Sequence, residues 1–145
     1  MAEKSRVLVV ANRTAESPEL LDALRARAVR GPCEFVLLVP STPQGIAWAA
    51  DMHAGGQEAE EHRRAFVAEL REEGLDIADA KVGDPDALAA VADECNFNEY
   101  DEVIVSTLPL KLSKWLHIDL PRKVKAATGL PVTHVVGSED KARAI

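Results

Sequence analysis

The chain has 145 residues, with 17 Lys and Arg against 24 Asp and Glu, so its formal net charge is −7. Hydrophobic residues make up 47% and charged residues 28%, which is the balance of an ordinary globular domain. A chain of this length buries roughly 68% of its unfolded surface, enough for one core without disulfides. We therefore expect a single domain over residues 1–145. The acidic balance argues against nucleic-acid binding and against docking on anionic membranes.

The amino-terminal segment and the two cysteines lead us to expect a cytoplasmic protein. Only five apolar residues, at positions 7–11, precede Asn12 and Arg13, and a secretory signal needs a longer apolar core. No apolar run approaches the roughly 20 residues that a membrane-spanning helix requires. Cys33 and Cys95 form no C-x-x-C motif, so we expect both to be reduced, buried and inert.

The first half of the chain alternates strand and helix patterns. Residues 7–11 form a continuous apolar run, typical of a strand that is covered on both faces in a parallel sheet. A helix is predicted next, with Ser17 as its cap and Pro18 at its first position. Its apolar face consists of Leu20, Leu21, Leu24 and Ala28. A second central strand is predicted at 35–39, and the segment 41–57 that follows it is irregular.

The middle of the chain predicts a second helix and an edge strand. The buried stripe of this helix consists of Ala59, Phe66, Val67 and Leu70. Gly74 ends the helix, and the stretch 77–82 that follows has a mixed composition. There Ala78, Ala80 and Val82 alternate with Asp79 and Lys81. Such alternation of apolar and charged residues predicts a strand at the edge of the sheet.

Two further helices and two further strands complete the pattern. The third helix is predicted to start near Asp84 and Pro85, and its apolar face consists of Leu88, Val91, Ala92 and Cys95. A continuous apolar strand follows at 103–105. The fourth helix is marked by Leu120, Val124 and Ala127 and ends at Gly129. The fifth strand is predicted at 132–136.

The order β-α-β-α-β-α-β-α-β predicts a three-layer α/β fold with a doubly wound, mostly parallel sheet and right-handed crossovers. In such sheets ligands bind beyond the carboxyl ends of the strands, at the point where the strand order reverses. The candidate cofactor-binding residues at these ends are Asn12, Arg13, Val39, Pro40, Ser106, Thr107, Lys111, Ser113 and Lys114.

Several short strings resemble the universal stress protein family. They are Gly-Leu-Asp at 74–76, Val-Gly-Asp-Pro at 82–85, Tyr-Asp-Glu-Val-Ile-Val at 100–105 and Leu-Pro-Val-Thr-His-Val-Val at 130–136. The resemblance covers nearly the whole chain. It implies a Rossmann-like sheet of five parallel strands in the order 3-2-1-4-5. It also implies a homodimer formed through the last strand, Val132 to Val136, which would be an exposed edge.

The ATP-binding members of that family carry glycines after the fourth strand, in the pattern Gly, two residues, Gly, nine residues, Gly-Ser/Thr. In this chain the same spacing reads Ser106, Pro109 and Asp119-Leu120, so every signature residue differs. Pro109 has no N–H to offer a phosphate. Asp119 is predicted to cap the fourth helix, where its carboxylate would occupy the anion position. Asn12 also replaces the aspartate that the family places after the first strand.

The resemblance implies a non-catalytic stress-response or regulatory protein, and these differences predict that its nucleotide binding is weak or lost. The alternative is an ATP- or AMP-binding protein with a variant phosphate loop, in which Lys111, Ser113 and Lys114 hold the anion; the same loop could equally be a solvated basic segment. Catalysis is the least supported class, because the P-loop, dinucleotide and nucleotidyl-transferase motifs are missing from the sequence. The four histidines show no metal-ligand spacing. A protein partner could dock on the segment around Trp48.

Overall fold

The computed structural model describes residues 4–11, 17–40, 57–83, 86–107 and 119–137; of residues 40, 57–60 and 62 it describes the backbone only. The elements are β1 (Ser5–Val10), α1 (Pro18–Val29), β2 (Cys33–Pro40), α2 (Gln57–Glu72), β3 (Ile77–Gly83), α3 (Ala87–Phe97), β4 (Glu102–Thr107), α4 (Leu120–Thr128) and β5 (Val132–Val136). The strands form one sheet in the order β3-β2-β1-β4-β5, and each neighbouring pair is parallel. The predicted fold class and strand order are confirmed.

Each face of the sheet buries its own apolar core. One core contains Val7, Val9 and Ile104 of the sheet and side chains from α1 and α2. The other contains Leu8, Val10 and side chains from α3 and α4. Successive residues of a strand point to opposite faces, so a strand covered on both sides is apolar throughout. This explains why β1 and β4 read as continuous apolar runs.

Two of the helix starts, those of α1 and α3, are set by capping side chains. The Ser17 hydroxyl accepts a hydrogen bond from the Leu20 N–H at 3.2 Å, with Pro18 at the first helical position, as predicted. The predicted start of α3, near Asp84 and Pro85, lies about two residues too early, because Asp86 is the cap and the helix begins at Ala87. Its carboxylate accepts from the N–H groups of Leu88 at 3.0 Å and Ala89 at 3.4 Å.

The edge position of β3 is confirmed, but its predicted alternation is wrong. Phe35 pairs with Ile77 and Val36 with Asp79, so Ala78 is an extra residue, a β-bulge. The bulge shifts the inward-facing side chains by one position. Ile77 and Ala80 are therefore buried in the core beneath α2, whereas Ala78 is exposed.

The buried faces of the last two helices differ slightly from the predicted ones. In α3 the fully buried side chains are Ala87, Ala90 and Val91, while Cys95 is only partly buried. In α4 Leu120 and Val124 are buried as predicted, but Ala127 is exposed. The buried positions of α4 are four residues apart, and the half-buried Thr128 continues their row, so Ala127 lies beside the buried face. Among the helices in the described ranges, none is long and apolar enough to cross a membrane.

Candidate functional site

The order of the strands places the switch point between β1 and β4. From β1 the chain moves through β2 to β3 on one side, and then crosses to β4 and β5 on the other. Val10, the last residue of β1, pairs with Leu38 on one side and with Val105 on the other. β2 and β4 each continue two residues beyond these partners, so their carboxyl ends flank the end of β1, where a doubly wound sheet places its ligand crevice.

Val39 and Ser106 flank the end of β1 at this level. Each is one residue beyond a partner of Val10, so both lie on the face of the sheet that α1 and α2 cover. With strands about 4.8 Å apart, their backbones are separated by roughly 10 Å. Both residues are fully buried. The structure thus brings together two of the predicted site residues, from opposite sides of β1.

Thr107 faces the other way. It is the last residue of β4 and is buried, and its Oγ1 lies 2.7 Å from Nε2 of His134 on β5. Burial lowers the pKa of the His134 imidazole. Since a neutral imidazole can accept at Nε2, the Thr107 hydroxyl can donate this hydrogen bond. From the sequence, His134 is considered only as one of four histidines without metal-ligand spacing, so this hydrogen bond is not predicted. The signal for it is the even spacing of His134 from Val132 and Val136, on a strand that pairs with β4.

The remaining predicted site residues are not placed by the structure. Asn12, Arg13, Lys111, Ser113 and Lys114 lie outside the described residues, and so do Pro109 and Trp48. For Pro40 only the backbone is described, and it pairs with Gly83 at the end of β3. The contribution of these residues to a binding site stays a prediction.

Asp119 stands at the start of α4 with an unusual backbone. Its φ of 55° and ψ of 50° are left-handed, and among the described residues it is the only non-glycine with a positive φ. Its carboxylate makes no capping hydrogen bond, so the predicted side-chain cap is wrong although the predicted position is confirmed. The carboxylate instead lies 3.7 Å from the guanidinium of Arg122, one turn into the helix. A left-handed backbone is one that glycine adopts readily and other residues adopt at a cost.

A polar cluster between α3 and β3 was not anticipated from the sequence. Glu94 accepts hydrogen bonds from Lys81 Nζ at 2.9 Å, from Asn98 Nδ2 at 3.1 Å and from the Tyr100 hydroxyl. Burial alone would raise the pKa of Glu94, but these three donors outweigh it and lower the pKa. Burial and the Glu94 carboxylate together raise the pKa of Tyr100. The guanidinium of Arg6 covers the Tyr100 ring at 4.9 Å from the centroid. All three donors bind the same carboxylate, and the bond from Lys81 ties α3 to β3, which indicates a structural role for the cluster.

The two cysteines have the environment of structural thiols. Cys33 is buried and Cys95 is partly buried, and neither forms a disulfide. Burial raises the pKa of both thiols, the opposite of what a nucleophile needs. Within the described ranges no group of three or more His, Cys, Asp or Glu could hold a metal ion.

Sequence comparison alone does not assign the chain: no protein-family model and no curated protein matches it. Solved structures do match. A universal stress protein family protein from Arabidopsis thaliana with AMP bound is 16% identical, with a TM-score of 0.59 and 92% of each chain covered. The universal stress protein from Archaeoglobus fulgidus is 17% identical, with a TM-score of 0.58 over 92% of this chain and 99% of that one.

A third solved structure, a universal stress protein in complex with cAMP, is 20% identical with a TM-score of 0.48 over 94% of this chain and 100% of that one. The structures from Arabidopsis thaliana and Archaeoglobus fulgidus share the five-stranded Rossmann-like architecture described above. The chain therefore has the universal stress protein fold, and the predicted resemblance is confirmed at the level of the fold.

Proposed function

We propose that the chain is a non-catalytic regulatory protein of the universal stress type in which nucleotide binding is weak or lost. The observation that carries the proposal is the residue at the start of α4. Asp119 occupies the position at which the ATP-binding pattern has a glycine, and its backbone there is left-handed, a conformation that glycine adopts readily. The helix start is thus present, but an aspartate side chain stands where the pattern has only the second α-hydrogen of glycine.

The binding of a phosphate here depends on the charge at the amino end of α4. The N–H groups and dipole of a helix start favour an anion. In this chain an anion is already present, because the Asp119 carboxylate stands at the N-cap position of α4. A phosphate brought to this position would meet a like charge, which disfavours binding. Arg122 compensates only weakly, because its side chain is 86% exposed and its guanidinium lies 3.7 Å from the carboxylate.

The alternative is an AMP- or ATP-binding protein. It is supported by the structure from Arabidopsis thaliana, which was determined with AMP bound. It is supported as well by Ser106, which lies beside the end of β1 at the switch point. In this alternative Lys111, Ser113 and Lys114 would supply the charge that the phosphate requires.

Thermal unfolding with nucleotide separates the two functions. Ligand at about 100 times its dissociation constant stabilises a protein by about 2.7 kcal/mol, a rise in Tm of roughly 6–10 °C at this size. We expect a change of less than about 1 °C with millimolar ATP, ADP or AMP, with or without magnesium. A rise of several degrees that saturates with nucleotide concentration would contradict the proposal and support the alternative.

We further propose a homodimer formed through β5. The Val103 N–H donates to Pro131 O at 3.0 Å, and the Gly137 N–H donates to Thr107 O at 2.7 Å. In a regular parallel ladder the odd-numbered residues of β5 then bond to β4, and the even-numbered residues direct their N–H and C=O groups away from the sheet. An unpaired strand edge of this kind can pair with a second copy.

Sedimentation velocity tests the dimer. Val136 is 47% exposed at the end of β5, and a lysine there would place a charge on the edge. We expect Val136→Lys to be a monomer at concentrations where the unaltered protein is a dimer. Val29→Lys is the matched control, because Val29 is 88% exposed at the carboxyl end of α1, outside the strand that would form the interface. An unaltered protein that stays monomeric at high concentration would remove this part of the proposal.

A further inference from the structure

A groove on the outer edge of the sheet, remote from the switch point, is lined by three arginines. It lies between α2 and β3 and has a volume of about 350 Å³, within the usual range for small-molecule sites. Its charged lining residues are Arg63, Arg64 and Arg71 of α2 and Asp79 of β3. They give the groove a local charge of +2 in a chain whose net charge is −7.

The bulge in β3 borders the groove. The extra residue, Ala78, is exposed and lies in the groove together with Ala80. Both side chains are single methyl groups, far shorter than the arginine side chains that line the groove from α2. Val67 supplies an apolar wall from α2.

Two arginines are fixed to the backbone of the edge strand. Arg71 donates from Nε and Nη2 to the Ile77 carbonyl, at 3.2 and 2.9 Å. Arg63 donates from Nη1 to the Ala80 carbonyl at 2.8 Å, and its side chain is only 19% exposed. These bonds hold the guanidinium groups in place before any ligand arrives, which reduces the entropy lost on binding.

Arg71 retains donors for a ligand. A guanidinium has five N–H donors, and two of those of Arg71 are directed at Ile77. Within the described part of the chain, Arg71 makes no other hydrogen bond or ion pair. Fixed, planar N–H pairs of this kind match the paired oxygens of phosphate and other oxyanions.

We propose that this groove binds a phosphate-class oxyanion, either free or as the phosphoryl group of a small molecule. Asp79 acts as a resident counter-ion, since its carboxylate lies 3.6 Å from Arg63 and competes with the ligand. The groove is separate from the switch point, because β2 lies between β3 and β1. The proposal is therefore independent of nucleotide binding at Ser106.

The test is an NMR titration of the intact protein with inorganic phosphate at constant ionic strength. We expect saturable amide shifts at Ala78, Ala80 and Arg71, with a dissociation constant in the millimolar range. Arg71→Gln should weaken binding at least tenfold (about 1.4 kcal/mol). Arg71→Lys should weaken it by less, because lysine keeps the positive charge but lacks the planar N–H pair. Asp79→Asn should tighten binding severalfold, since the amide removes the competing charge.

Arg30→Gln is the matched control, because it makes the same charge change on the exposed surface just after α1. It should leave the affinity within about twofold. An equal loss in Arg30→Gln, or no saturable shift up to about 50 mM phosphate, would overturn the proposal. If Arg71→Gln does not fold, Arg71→Lys and Asp79→Asn still test the proposal. An unchanged phosphate affinity in both variants would refute it.

A parallel titration with AMP identifies the source of the phosphoryl group. The same shifts at Ala78 and Ala80 with AMP indicate that a phosphate ester is accepted, and shifts with phosphate alone indicate a free anion. If AMP and phosphate both shift only residues near Ser106, the groove proposal is wrong, and the proposed loss of nucleotide binding fails separately.

Discussion

Gly83, at the end of β3, is packed so closely that a single added methyl group should destabilise the fold. A Cβ built on Gly83 would lie 3.0 Å from the Cβ of Ala90 and 3.0 Å from Cδ1 of Leu38. The Leu38 methyl can rotate away, but the Ala90 Cβ is fixed to the backbone of α3. The strand and the helix must therefore separate by a few tenths of an ångström.

The expected cost follows from two opposing effects. Overpacking a core by one methyl group costs about 1–3 kcal/mol. Replacing glycine by alanine also restricts the unfolded chain, which returns about 0.4–1 kcal/mol. Gly83→Ala should thus lower the free energy of unfolding by about 1–2 kcal/mol, a fall in Tm of roughly 3–8 °C at this size.

Urea unfolding followed by circular dichroism measures this change, with Gly31→Ala as the matched control. No atom lies within 4 Å of a Cβ built on Gly31, so that variant should be neutral or slightly more stable. Ala90→Gly removes the fixed contact, so Gly83→Ala should cost less in that background. The packing argument is refuted if Gly83→Ala is as stable as Gly31→Ala.

Three further predictions concern Asp119, the Glu94 cluster and the cysteines. Asp119 has a φ of 55° and makes no capping hydrogen bond, so glycine should fit this position better than alanine. The free energy of unfolding of Asp119→Gly should therefore be about 1 kcal/mol higher than that of Asp119→Ala, and equal values in urea unfolding would contradict this. The pKa of Glu94 is lowered by folding, so it stabilises the protein above the unfolded pKa of about 4.3, and this contribution is lost as pH falls through the lower folded pKa. Tyr100→Phe should flatten the fall in unfolding free energy between about pH 5 and 3; an unchanged slope would contradict the role of the hydroxyl. Because burial raises the pKa of Cys33 and Cys95, iodoacetamide at neutral pH should modify the folded protein much more slowly than the urea-unfolded chain, and equal rates would contradict this.

The strand and helix order could be predicted because local patterns carry it. Ser17 and Pro18 mark a helix start through their own side chains, and the apolar runs of β1 and β4 require cover on both faces. The bulge at Ala78 could not be predicted, since it depends on how β3 pairs with Phe35 and Val36 and not on β3 itself.

The site was predicted less completely for two physical reasons. The hydrogen bond between Thr107 and His134 links residues 27 positions apart, and only the register of β4 and β5 brings them together. Asp119 precedes Leu-Pro, which is the composition of an ordinary capped helix start. The left-handed backbone at Asp119 directs its carboxylate to Arg122 and leaves it without a cap bond, and composition alone does not indicate such a backbone.

Calorimetric titration of the unaltered protein and of Asp119→Gly with ATP and AMP tests the central claim, that a carboxylate at the start of α4 opposes phosphate binding. We expect no measurable heat of binding for the unaltered protein at millimolar nucleotide. We expect tighter binding in Asp119→Gly, which removes the carboxylate and still allows the left-handed backbone. Micromolar affinity in the unaltered protein, unchanged in Asp119→Gly, would contradict it.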